Sequence, residues 1–91
     1  MTINLSPYKI INDFKSLFEI VCTNHQGPAI IDLGRQMQWN GITAGQCAGS
    51  VRFIQADGIN AILNTKTNCI RFSEGSPDKL EEMLQKLAAN N

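Results

Sequence analysis

The sequence predicts an α+β fold: a two-layer sandwich in which an antiparallel sheet of about five strands carries the N- and C-terminal helices on one face. Three observations predict it. Residues 50–73 alternate β-branched and apolar runs with two polar turns, the pattern of a three-stranded meander. Ser6-Pro7 and Ser76-Pro77 are both helix starts, with Ser placed to cap and Pro at the first helical position. Apolar stripes of helical period follow each start. At 91 residues the chain is sized for a single domain with a small core, and 43% apolar with 18% charged residues is a globular composition.

The first helix follows from Ile10, Phe14, Leu17, Phe18 and Val21, with Ile11, Ile20 and Cys22 flanking that stripe. Lys9 and Asp13 lie off it as an i,i+4 pair of opposite charge, as do Lys15 and Glu19. Gly27-Pro28 is the stop, since Gly takes the left-handed cap and Pro cannot continue a helix. A strand over 28–33 and a second over 36–40 come next. With residues 34–36 as their loop, Leu33 faces Met37 and Ile31 faces Trp39, which gathers four large apolar side chains on one face. Residues 41–49 carry three glycines at spacing four and read as an irregular crossover or a short helical turn.

The meander places strands at 50–55, 59–64 and 69–73. Taking Ala56-Asp57-Gly58 as a three-residue turn pairs Phe53 with Ala61 and Val51 with Leu63. Across the four-residue loop 65–68, Leu63 faces Ile70 and Ala61 faces Phe72. One face is then apolar, and the other carries a row of Arg52, Ile62 and Arg71 beside Ile54. After Ser76-Pro77, Asp78 sits at the positive end of the last helix, and Leu80, Met83, Leu84 and Leu87 form its sheet-facing stripe.

Function is less legible. A formal net charge of zero argues against a dedicated nucleic-acid binder, which advertises a basic excess. No run approaches the length of a membrane span, and the first residues lack the layout of a secretory signal, so the expectation is a cytoplasmic chain with reduced thiols. Cys22-x-x-His25 with Cys47 and Cys69 supplies ligand types for zinc, but only one pair has the spacing that structural sites use twice. Cys47 sits among small residues that leave room for a substrate, yet no base lies near it in sequence and His25 is the only histidine. A Cys47-dependent enzyme therefore ranks third, no catalytic residue is assigned, and no cofactor or metal is implied.

The leading expectation is a small non-enzymatic interaction module that self-associates or takes a protein partner through Arg52, Ile54, Ile62 and Arg71. Arginine and aliphatic side chains are the common currency of protein contacts, and a small core gains from covering a second sheet face. The alternative expectation is a small-ligand binding protein with a pocket near Trp39 and Cys47.

Overall fold

The computed structural model describes residues 6–26, 30–31, 34–47 and 49–89. In chain order it contains α1 (Ser6–Asn24), β1 (Ile30–Ile31), β2 (Gly34–Trp39), β3 (Ile42–Cys47), β4 (Val51–Ala56), β5 (Ile59–Asn64), β6 (Cys69–Glu74) and α2 (Pro77–Ala89). Each strand pairs antiparallel with the next, so the sheet runs β1 to β6 in order. Five full strands and a two-residue edge strand thus lie between two terminal helices, the α+β architecture expected.

Both helices bury the stripes that their periodicity marks. Phe14, Leu17 and Val21 of α1 have no exposed surface, and Leu80 and Leu87 of α2 are buried with them. Ile11 joins this set, whereas Ile10 and Phe18 are half-buried at its margin. The sheet contributes Ile42, Ala44, Ile54, Ile59, Ala61 and Leu63 to the same core. Strand alternation and the pairing register put all six on one face, which the helices cover. Ser76 caps α2 by accepting the Lys79 N–H at 3.3 Å. Lys9 of α1 pairs with Asp13 at 2.7 Å and reaches across to Glu81 of α2 at 3.1 Å.

The start of α2 is fixed by Gly75. Its φ is +87°, and a Cβ there would stand 2.7 Å from the Gly58 carbonyl oxygen. Only glycine allows the chain to leave β6 and pass this close to the β4–β5 turn.

Three expectations are corrected. Residues 41–49 are not a crossover, because 42–47 form β3. Asn40 and Gly41 both take positive φ, 57° and 80°, and close a two-residue hairpin in which Trp39 pairs with Ile42. Residues 34–36 are not a loop but the start of β2, and Ile31 pairs with Arg35 rather than facing Trp39. Leu33 and the Gly27-Pro28 stop lie outside the described residues, and α1 has ended by Asn24.

The third correction concerns β4. Its turn to β5 has two residues, Asp57-Gly58, and not three, so Ala56 pairs with Ile59, Ile54 with Ala61, and Phe53 with Ile62. A shift of one residue turns every side chain of β4 to the other face. Ile54 and Ala56 therefore point to the helices, while Val51 and Phe53 point away. The next pairing, Leu63 with Ile70 and Ala61 with Phe72, is the one expected.

Candidate functional site

Among the described residues no element covers the second face of the sheet, and its composition sets it apart from the first. By alternation β2 presents Gln36 and Gln38 there, and β3 presents Thr43, Gly45 and Cys47. β4 adds Val51, Phe53 and Gln55, and β5 adds Asn60, Ile62 and Asn64. None of these side chains is charged, although the chain has 16 charged residues in 91, eight of each sign. Arg71 on β6 is the first cation met, at the margin of the face beside Ile62. Glu74 follows on the same strand, past a shift in register between Asn60 and Ala61.

An apolar ridge crosses the middle of this face. Gly45 pairs with Phe53, Phe53 with Ile62, and Ile62 with Arg71. The Phe53 ring lies directly over Gly45, so closely that a methyl at Gly45 would overlap it, and Gly45 is buried beneath it. A bare glycine in a strand interior leaves the sheet without a side chain to pack, and a cross-strand aromatic ring fills that gap. Ile62 stands next to the ring with 41% of its surface exposed, one of two large hydrophobic side chains so exposed among the described residues.

The sheet places the four residues expected at the contact on two different faces. Ile62 and Arg71 are adjacent on the open face. Ile54 is fully buried under the helices and cannot touch a partner. Arg52 pairs with Leu63, a core residue, and so lies on the helix side at the end of the sheet. Its guanidinium approaches the carbonyls of Val51 and Gly49 at 3.3 and 3.5 Å. The expected row of Arg52, Ile62 and Arg71 is thus not built, and Phe53, placed in the core by the three-residue turn, takes the position assigned to Arg52. Asp32, a possible partner for those arginines, lies outside the described residues.

Trp39 and Cys47 do not share a pocket. Trp39 pairs with Ile42 at one end of the β2–β3 hairpin and packs on the core, whereas Cys47 pairs with Gly34 at the other end. Five residues separate their levels, about 17 Å along the strand, and they point to opposite faces. His25 accepts the Gln38 N–H at its Nδ1, 3.3 Å away, which ties it to the Trp39 end of β2. Gln38 and Gly34 are four residues apart on that strand, about 13 Å, so His25 and Cys47 do not form a dyad. Cys22 is on α1, Cys47 on β3 and Cys69 on β6. Among the described residues no three His, Cys, Asp or Glu side chains converge on a metal position, and no helix is long and apolar enough to cross a membrane.

No family model, curated protein or solved structure matches this chain. The reading of its function rests on the open face itself.

Proposed function

We propose that the chain is a small non-enzymatic interaction module that self-associates through the open face of its sheet, with Phe53, Ile62 and Arg71 at the centre of the contact. The observation that carries this reading is the uncharged surface of β2–β5. A sheet face kept in water is polar, and protein surfaces ordinarily intersperse lysine, arginine, glutamate and aspartate among the other polar residues. Contact surfaces, by contrast, are depleted of charge at their centre and enriched in aromatic residues and arginine. An exposed isoleucine beside a phenylalanine, with arginine at the margin, has that composition.

Size sets the strength of the contact. Five strands at about 4.8 Å spacing and six residues at about 3.3 Å make a face of roughly 24 by 20 Å. Two such faces cover about 1,000 Å² together, the lower limit for specific contacts, so a weak, transient association is expected. The β6 edge is a weaker candidate for the same role. Its exposed Arg71 and its register shift are the devices that discourage strand addition.

Sedimentation equilibrium tests the proposal. The wild type at tens of micromolar should give a mass above that of the 10.0 kDa chain, and Ile62→Asp should return it to the monomer with an unchanged fold. A wild type that stays monomeric, or an Ile62→Asp variant that associates equally well, refutes it.

A further inference from the structure

The register fixes an order across the centre of the open face: Gly45 on β3, Phe53 on β4, Ile62 on β5 and Arg71 on β6 stand at one level. The Phe53 ring leans from β4 toward β3. The place a Gly45 Cβ would take is close to Cζ and both Cε atoms at once, over the ring and not beyond its edge. The ring therefore lies face down on the glycine, and its other face is turned outward. Among the described residues no second ring packs on that face, Phe14 and Phe18 being the ring pair they contain. Arg71 is exposed and has no hydrogen bond or ion pair with any described residue. It cannot cover the ring of its own chain: three strand spacings, about 14 Å, separate it from Gly45, and Ile62 stands between.

Read in reverse, the same order is complementary to itself. In an isologous pair, a residue that touches another is touched by it in return. A two-fold axis parallel to the strands, midway between β4 and β5, sets Ile62 opposite Phe53 and Arg71 opposite Gly45, twice over. Packed sheets stand about 10 Å apart. Above Gly45 the flat ring fills part of that gap. Arginine has the length to close the rest, and its planar cation suits a ring face. An axis along the ridge instead sets each of the four residues on its own copy. Arg71 then meets Arg71, a like-charge contact that weakens the pair.

We propose that two copies meet about the first of these axes, with the partner's Arg71 stacked on the outer face of Phe53 and Ile62 between the two stacks. This inference rests on the self-association proposed above and adds its geometry. Two cysteines report on it. Cys47 on β3 and Cys69 on β6 share the row next to the ridge: Cys47 is level with Val51 by continuation of the β3–β4 register, and Cys69 is level with Val51 through Asn64. The proposed axis sets Cys47 opposite the partner's Cys69 and keeps like cysteines three strands apart. An axis along the ridge sets Cys47 opposite the partner's Thr43 instead. The test mixes a Cys22→Ala, Cys69→Ser chain with a Cys22→Ala, Cys47→Ser chain, at a concentration where the wild type sediments as a dimer. A short bismaleimide, whose span tolerates the twist between packed sheets, is then added. The expected result is a cross-linked dimer from the mixture and none from either chain alone. Arg71→Gln should weaken the association about tenfold, as should Phe53→Leu, and the double variant should be no weaker than either. The geometry is overturned, with self-association left standing, if the chain associates but the mixture gives no conjugate. It is equally overturned if single-thiol chains link to themselves, or if Arg71→Gln associates as the wild type does. A monomeric wild type removes both proposals.

Discussion

At the scale of single residues, the two faces of the sheet are separated by what lies beneath and above a few positions. Gly45 shows how closely. The Phe53 ring occupies the space a Cβ at Gly45 would need, so Gly45→Ala must push the ring aside and should destabilise the fold by about 1–3 kcal/mol. Phe53→Ala removes the obstacle, and Gly45→Ala should then be nearly neutral. A double-mutant cycle from urea unfolding measures this coupling. Additive single effects would show that the ring does not rest on the glycine. Ile54 and Ile62 make the contrast from the other side: both are isoleucines on neighbouring strands, yet one is wholly buried and the other 41% exposed. Truncating a buried isoleucine to alanine costs about 2–5 kcal/mol, and an exposed one far less.

At the scale of elements, the turns decide the registers, and turn chemistry explains what was legible in the sequence. The helices were readable because Ser6-Pro7, Ser76-Pro77 and their stripes agree with one another. The β5–β6 pairing was readable because its four-residue loop leaves one register that keeps Leu63, Ile70 and Phe72 together. β4 was ambiguous: Val51 and Phe53 have one parity, Ile54 and Ala56 the other, so hydrophobic alternation cannot choose a face. The choice falls to Asp57-Gly58, a two-residue hairpin signal that overrides a reading of three. Asn40-Gly41 announces β3, since asparagine followed by glycine is the dipeptide best suited to two positive φ values. The glycines at 41, 45 and 49 drew the reading toward a crossover, but Gly45 sits inside the strand under Phe53. Replacing Asn40 and Gly41 together by alanine should cost about 2–3 kcal/mol in unfolding free energy and weaken amide-exchange protection first in β2 and β3. Unchanged protection there would mean that the turn does not hold the hairpin.

The helices are joined to each other as well as to the sheet. Asp13 and Glu81 hydrogen-bond the Lys9 ammonium and raise its pKa above the ordinary 10.5. A group whose pKa is raised on folding stabilises the fold wherever it is protonated in the unfolded chain too, and that contribution disappears as pH climbs through the folded value. The melting-temperature difference between wild type and Lys9→Met should therefore be constant from neutrality to about pH 9 and close above pH 10.5. A difference that is lost in the neutral range would place its cause elsewhere. The pair is exposed, so the difference is expected to be small and to shrink further in salt.

At the scale of the whole molecule, one asymmetry organises the account: two helices cover one face of the sheet, and nothing in the described chain covers the other. In the described strands, charge on the open face begins only at β6, and β2–β5 offer amides, a hydroxyl and the Phe53–Ile62 ridge instead. A second copy presenting the same surface is the partner that this composition suits, and the modest area makes the encounter concentration-dependent. The most direct test is a dilution series of amide NMR spectra, from about 500 µM to about 10 µM, a range over which a weak association changes its occupancy. Shifts that move together for Phe53, Ile62 and Arg71 and their neighbours on β3–β5, with Phe14, Leu80 and the rest of the helix side unmoved, are the predicted result. Spectra that do not change across the series, or changes confined to α1 and α2, would contradict it.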